Sequence, residues 1–410
     1  MRLLFLTNFY PPASRGGYEQ WCQEVTDGLR ARGHNVLVLT STYGRENLQS
    51  ADPKWVRREL HLEMEFASLQ NALYFFTNRK KRELKNLAIL REAIEQHRPG
   101  GILVWGMWNF QRSMPALAEK LMPGKVVYYM GDYWTTLPSQ FENYWNAPAR
   151  NFVTGLPKLI LKPIAQWILR REKRPGLQLE HTLFPSGFMR EELKRKGISS
   201  SNAKIIYGGS DTEPYTGQRD KKQKDKTSLL YVGRLTHEKG VHTAIEAVEK
   251  LVHEHGIDHI KLTIVGDGDS DYIRHLHQLV DEKYIASYVD FVPAQPKETL
   301  PAIYHGSDIF LFTSIWPEPF GRVLIEAMAS GVAVVGTAVG GAAEILRENE
   351  NALLFTPDDP TSLSNQLKQL IESPPLRERL AKAGRQIAVG KFDIRRMTTE
   401  IEHYLQTLTS

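Results

Sequence analysis

Residues 1–40 read MRLLFLTNFYPPASRGGYEQWCQEVTDGLRARGHNVLVLT. Leu3 to Leu6 and Val36 to Thr40 are short apolar runs, and Glu19 to Ala31 between them spaces its apolar residues helically. Such runs suit strands buried on both faces, and Gly33 stands where a helix ends before the next strand. The order strand, helix, strand is a βαβ unit, so a parallel sheet is expected.

The alternation continues outward. Gly101 to Val104 and Lys125 to Met130 read as strands, Arg82 to Gln96 and Arg112 to Leu121 as helices, and the series ends near Tyr207. From Gly208 to Thr227, three glycines and the charged run Arg219 to Lys226 leave almost nothing apolar, which reads as a surface linker. A second series follows, with strands at Leu229 to Val232, Lys261 to Val265, Val289 to Val292, Ile309 to Thr313 and Val332 to Val335. The expected architecture is α/β, with two Rossmann-like doubly wound domains at residues 1–207 and 227–390, a linker at 208–226, and a C-terminal helix at 391–410 crossing back to the first domain. A chain of 410 residues is too long for one ordinary core.

Hydrophobic residues at 41% and charged ones at 24% exclude a disordered or collagen-like chain. The single cysteine, Cys22, makes neither an internal disulfide nor a zinc site by itself, which favours a reducing, cytoplasmic compartment. The apolar run after Met1 is too short for a signal peptide, and no stretch nears the ~20 apolar residues that span a bilayer. A net charge of +5 favours anionic partners. Without zinc-finger spacing or an RNA-recognition signature, nucleic acid is not expected among them.

Chemistry concentrates in Thr313-Ser-Ile-Trp-Pro-Glu-Pro-Phe-Gly-Arg-Val-Leu-Ile-Glu-Ala-Met-Ala-Ser-Gly331. A loop punctuated by proline follows a strand and feeds a helix. Free N–H groups and the helix dipole make that junction an anion site, with the amides of Phe320, Gly321, Arg322, Val323 and Leu324 as candidates. Glu318 and Glu326 are spaced to reach different parts of one ligand, accepting hydrogen bonds from ribose or hexose hydroxyls. The alternative, two solvated glutamates, fits poorly with the apolar neighbours of Glu326. In Leu229-Leu-Tyr-Val-Gly-Arg-Leu-Thr-His-Glu-Lys-Gly240 a strand runs into a loop, so Gly233, Arg234 and Lys239 lie where open α/β sheets bind ligands. The two cations there either neutralise a diphosphate or pair with Glu238. Gly16-Gly17 permits close backbone approach to a phosphate or sugar, but has neither GxGxxG spacing nor a P-loop lysine.

Together these motifs resemble the retaining glycosyltransferases of family 4, whose GT-B fold sets two Rossmann-like domains facing a cleft. The resemblance runs through nearly the whole chain. It rests on Gly16-Gly17, Val232-Gly-Arg-Leu235 with Lys239-Gly240, Val265-Gly-Asp-Gly268, and Glu318 with Glu326 inside Pro-Glu-Pro-Phe-Gly and Glu-Ala-Met-Ala-Ser-Gly. It implies that Glu326 holds the ribose, Glu318 with the amides near Phe320 and Gly321 the donor sugar, and Arg234 with Lys239 the diphosphate. The Gly17 loop then faces the phosphates from the other domain, and the backbone around Val292 packs near the base. Arg234, Lys239 and Glu318 form the implied catalytic set. The implied reaction moves a hexose from a nucleotide-diphosphate sugar, UDP-glucose by its frequency among relatives, to a saccharide or lipid-linked acceptor of polysaccharide or glycolipid biosynthesis, without metal or cofactor. The alternatives are a sugar-nucleotide 2-epimerase and a catalytically silent nucleotide-sugar binder.

Two positions depart from the family pattern. Where relatives often carry His-Asp, this chain has Gly131-Asp132. The freed space falls to Tyr133, Trp134, water or a bulkier acceptor, and Gly131, Asp132 and Trp134 are expected on the acceptor or sugar side. Near the hinge, Gly208-Gly-Ser-Asp211 replaces Asn-Gly-Val-Asp, a change expected to alter only the linker. Asp267-Gly-Asp269 with Asp271 nearby has the look of a metal-binding pair, but a Gly-rich turn favours Asp for backbone reasons, so no metal is expected. The aromatics Trp105, Trp108, Tyr133, Trp134, Tyr144 and Trp145 read mainly as core, Trp134 being the acceptor candidate. Lys158 to Arg174 fits an interfacial segment drawn to anionic lipid at the inner face of a membrane, and equally a packed amphipathic helix, with Pro163 dividing it in two.

Overall fold

A computed structural model describes residues 1–13, 16–48, 51–65, 71–148, 152–172, 174–217 and 226–409. The chain forms two compact units, one of Met1–Pro185, Arg190–Ile206 and Thr398–Ser410, the other of Ser186–Met189 and Tyr207–Met397. The expected charged run lies almost wholly in 218–225, outside the described residues.

The N-terminal part of the chain runs β1 (Arg2–Leu6), α1 (Gly17–Ala31), β2 (Asn35–Ser41), β3 (Val56–Leu60), α2 (Asn71–Thr77), α3 (Arg79–His97), β4 (Gly101–Val104), α4 (Ser113–Leu121), β5 (Val126–Tyr129), α5 (Gln140–Asn146), α6 (Phe152–Arg171), β6 (His181–Phe184), α7 (Gly187–Arg195) and β7 (Asn202–Ile205). Its strands order β3-β2-β1-β4-β5-β6-β7, so the winding reverses between β1 and β4. β1, β4 and β5 are buried almost throughout, as strands covered by helices on both faces must be.

The later part runs β8 (Thr227–Val232), α8 (Val241–His253), β9 (Ile260–Val265), α9 (Ser270–Glu282), β10 (Val289–Val292), α10 (Leu300–His305), β11 (Ile309–Phe312), α11 (Arg322–Ala329), β12 (Ala333–Gly336), β13 (Leu353–Leu354), α12 (Pro360–Glu372), α13 (Pro374–Lys391) and α14 (Ile394–Thr409). The order β10-β9-β8-β11-β12-β13 reverses between β8 and β11. Such reversals leave a crevice outside the carboxyl ends of the strands, where ligands bind. From Thr398 on, α14 belongs to the first unit, where Glu402 pairs with Arg32 and His34.

Three features differ from expectation. Ser210, Thr212 and Tyr215 are buried, so residues 208–217 are packed rather than a solvated linker. Ser210 exchanges backbone hydrogen bonds with Phe392 and Ile394. Pro163 does not divide its helix, because α6 is continuous. Leu161, Ala165, Ile168 and Leu169 pack with Phe75, Phe141 and Trp145. Ala165 is buried there and Leu161, Ile168 and Leu169 partly so, a packed face that offsets the cost of an interior proline. Finally, β3, β6, β7 and β13 were not among the expected strands. Among the described residues, no helix is long and apolar enough to cross a membrane.

Candidate functional site

The loops after β8 and β11 meet at the reversal of the second sheet. Thr313 Oγ1 donates to the Lys239 carbonyl at 2.7 Å, and the amides of Ile315 and Trp316 donate to the Glu238 carbonyl. This lacing brings Lys239 Nζ within 2.7 Å of Glu318 Oε1. The contact is a Coulombic pair without a hydrogen bond's alignment, since that oxygen has no hydrogen-bond partner among the described residues. Neither cation pairs with Glu238. Arg234 is exposed and has no carboxylate partner among the described residues, and its carbonyl accepts from Tyr231 Oη at 2.9 Å.

The Gly-Asp-Gly turn after β9 holds this loop in place. Leu235 donates to the Asp267 carbonyl and Asp269 to the Leu235 carbonyl, both at 2.9 Å. Gly266 has φ +157°, and a Cβ there would overlap the Gly233 carbonyl oxygen, so only glycine serves. Asp267 accepts from the Gly268 amide, and Asp269 caps α9 through the amides of Asp271 and Tyr272. These carboxylates do backbone work. Among the described residues no three His, Cys, Asp or Glu side chains gather to hold a metal ion. Val292, at the end of β10, accepts from the Gly266 amide at 3.0 Å.

Gly321 precedes α11 without a side-chain cap, leaving the backbone at Phe320–Val323 as the helix's positive end. The Leu324 amide is already turned to the Gly321 carbonyl at 3.2 Å. The residues that flank Glu326 in α11, Leu324, Ile325, Ala327 and Met328, are apolar and buried, and Glu326 itself is 6% exposed. Its Oε1 accepts from Ser210 Oγ at 3.1 Å, Tyr304 Oη reaches Oε2 at 3.5 Å, and Arg322 lies 3.9 Å away. The departure at Ser210 therefore touches the second candidate carboxylate and is more than a linker change. A polar residue in place of valine beside a buried helix was the signal for it. A further contact unread in the sequence is the Gly341 amide, which donates to the Glu318 carbonyl at 2.7 Å and fixes the Pro-Glu-Pro loop.

In the first unit, Gly16 is extended and precedes α1, with Gly17 as its first residue. The residue that matters next is Tyr18. Its hydroxyl, with one proton to give, sits between the carbonyls of Tyr129 and Trp105 and accepts from the Gly131 amide at 3.1 Å. Gly131 is not left-handed. A methyl group there would instead fall inside the Tyr18 ring, so Tyr18, and neither Tyr133 nor Trp134, occupies the space opened at this position. Asp132 accepts from the Trp134 amide, and burial, aided by nearby Glu19, pushes its carboxyl up to about 7. Trp105 and Trp145 are fully buried, and Trp134, 5% exposed, lines a cavity.

Residues 15–214 match the family described as Glycosyltransferase Family 4, and residues 216–387 that described as Glycosyl transferases group 1. Spore coat protein SA of Bacillus subtilis is 30% identical over 222 residues, 49% of this chain and 58% of that protein. The chain thus spans little more than half of that relative's length. Glycogen synthase of Mycobacterium tuberculosis is 23% identical over 97% of this chain and 93% of its own. Among solved structures, Anabaena Alr3699/HepE in complex with UDP and glucose superposes with a TM-score of 0.69 at 21% identity, over 99% of this chain and 100% of that one.

Proposed function

Given that this chain belongs to the family 4 glycosyltransferases of GT-B fold, we propose that it transfers a hexose from a nucleotide-diphosphate sugar to a saccharide or lipid-linked acceptor with retention of configuration. The observation that carries this is the Lys239–Glu318 pair beside the start of α11, with Glu326 buried about one turn further on. A UDP-sugar, UDP-glucose first, is the proposed donor, in keeping with the UDP bound by the HepE protein. Glu326 takes the ribose, Glu318 the sugar, and Arg234, Lys239 and the backbone from Phe320 to Val323 the diphosphate. The backbone at Val292 lies by the base, and Gly16 and Gly17 serve as further phosphate contacts. As the bond from the anomeric carbon to the diphosphate breaks, negative charge grows on the leaving oxygen. Cations and helix amides already in place stabilise it without reorganisation. The acceptor oxygen bonds to the anomeric carbon on the same face, and its proton passes to the departing phosphate. Gly131, Asp132 and Trp134 lie on the acceptor side.

Incubation with labelled UDP-, GDP- and ADP-sugars and candidate acceptors, with and without EDTA, tests this reading. Acceptor-dependent transfer that survives EDTA is expected. Tight binding without transfer or hydrolysis replaces the reading with a silent binder, and conversion of the donor sugar without acceptor replaces it with an epimerase. Activity lost with EDTA and restored by magnesium refutes metal independence.

A cytoplasmic enzyme in peripheral contact with an anionic membrane belongs to the same reading, because the second face of α6 is unusual. At 100° per residue, Leu159, Ile160, Pro163, Ile164, Trp167, Arg170 and Arg171 fall within an arc of about 140°, and all are exposed. The helix has no acidic residue. Of the further cations in the expected segment, Arg174 is engaged by Glu142, and Lys173 lies outside the described residues. Exposed apolar side chains beside arginines that have no carboxylate partner among the described residues suit an anionic bilayer surface. The protein is expected to sediment with vesicles containing phosphatidylglycerol and to leave them as salt rises. Equal binding to neutral vesicles, or none to either, refutes it.

A further inference from the structure

A cavity of about 120 Å³ opens within the first unit at the carboxyl ends of β3, β4 and β5. The loop after β4 lends it Trp108, Gln111 and Arg112, the loop after β5 Trp134, and the start of α3 Arg79. Several polar atoms of these side chains are shut off from solvent and have no hydrogen-bond partner among the described residues: both amide atoms of Gln111, the indole N–H of Trp134 and Nε of Arg79. A bare buried donor or acceptor is costly, and folded proteins keep few of them without a use. Trp134, at 5% exposure, lines the cavity.

The charges around the cavity are uneven in the same sense. Arg79 closes on Glu172, Lys80 on Glu83 and Glu172, and Arg174 on Glu142. Arg112 has only the Thr135 carbonyl, and no carboxylate among the described residues. Glu63 accepts from the Gln140 amide, and burial pushes it up to about 7, so it brings less than a full negative charge at neutral pH. The vacant atoms are three donors and one acceptor, beside a guanidinium without a counter-ion. An occupant that answers them brings oxygen acceptors, a negative charge and a ring to lie against indole.

We propose that this cavity binds a sugar ring carrying an anionic group, carboxylate or phosphate, as part of the acceptor: Arg112 takes the anion, while Gln111 and Trp134 take ring hydroxyls. Only the word acceptor rests on the glycosyl-transfer reading; the binding does not. The test uses the full chain with saturating UDP, so that phosphate probes do not enter the donor site. Methyl glucuronide, glucose 6-phosphate and methyl glucoside are titrated by saturation-transfer NMR. A charged probe is expected to bind at least about tenfold more tightly than the neutral one, as charge-assisted contacts do. Whether carboxylate or phosphate binds better identifies the anion. Arg112→Gln should erase the preference, Arg112→Lys should restore part of it, and Trp134→Phe should weaken all probes together. Equal affinities, no binding of any probe, or a preference that survives in folded Arg112→Gln protein overturns the proposal. UDP is the control: if the cavity fails while UDP binds, the transferase reading stands, and if UDP, GDP and ADP all fail to bind, that reading falls instead.

Discussion

At the reversal of the second sheet, Arg234 apart, charge has been answered in advance: Lys239 faces Glu318, and Glu326 sits among Ser210, Tyr304 and Arg322. At the corresponding end of the first sheet, Tyr18 closes the space beside Gly131, while a cavity nearby keeps bare donors and an unopposed Arg112. The first arrangement is preorganised for a ligand whose charge must be stabilised quickly. The second is shaped by what it lacks. A chemical step gains most from dipoles and charges fixed before reaction, whereas recognition of a variable partner can leave groups to be satisfied on binding.

The sharpest way to break this contrast is to remove charge from the second site. Arg234→Ala and Lys239→Ala should each lower kcat by roughly 100-fold or more, as removal of a group that stabilises transition-state charge does. Changes below threefold at both positions, measured with the true donor, would return them to the surface.

The first unit is expected to show its strain in pH dependence. The native state holds the Asp132 proton up to about pH 7, whereas its ordinary value is 3.8. Between those values the native state binds more protons than the unfolded chain, so stability is fully present below about pH 4 and falls as pH rises to 7, by on the order of a few kcal/mol. Asp132→Asn should flatten that part of a urea-unfolding profile, leaving the similar slope of Glu63. An unchanged slope means that Asp132 titrates normally.

Gly131→Ala drives a methyl group into the Tyr18 ring and should cost about 1–3 kcal/mol, the range for overpacking. Tyr18→Ala with Gly131→Ala should cost less than the sum of the two single changes. Strict additivity would show that the ring and the glycine do not share one space.

Smallest are the effects at the buried carboxylate. Glu326→Gln should raise the donor Kd about tenfold with kcat nearly unchanged, as loss of a charged hydrogen bond does, and Ser210→Val should act in the same direction severalfold. A fall in kcat for Ser210→Val with Kd unmoved would remove Ser210 from the positioning of Glu326.

The sequence by itself determined those parts whose physics is local. Strands such as β1, β8 and β11 are buried on both faces and so read as apolar runs, and α11 carries its apolar residues in one stretch with the loop that feeds it. Glu318, Glu326, Arg234 and Lys239 were legible because loop, helix start and strand end are contiguous in the chain. Most edge strands were not, β10 apart: β3 carries Arg57, Arg58 and Glu59 in succession, and β7 is mostly exposed. β6 begins with His181 and Thr182, whose burial depends on neighbours far along the chain. Tertiary structure alone decided that Lys239 meets Glu318 across 79 residues, that Ser210 meets Glu326 across 116 and that Tyr18 fills the place beside Gly131 across 113. Close packing makes one residue's missing volume another's opportunity, and which residue takes it is set only when the two segments are brought together.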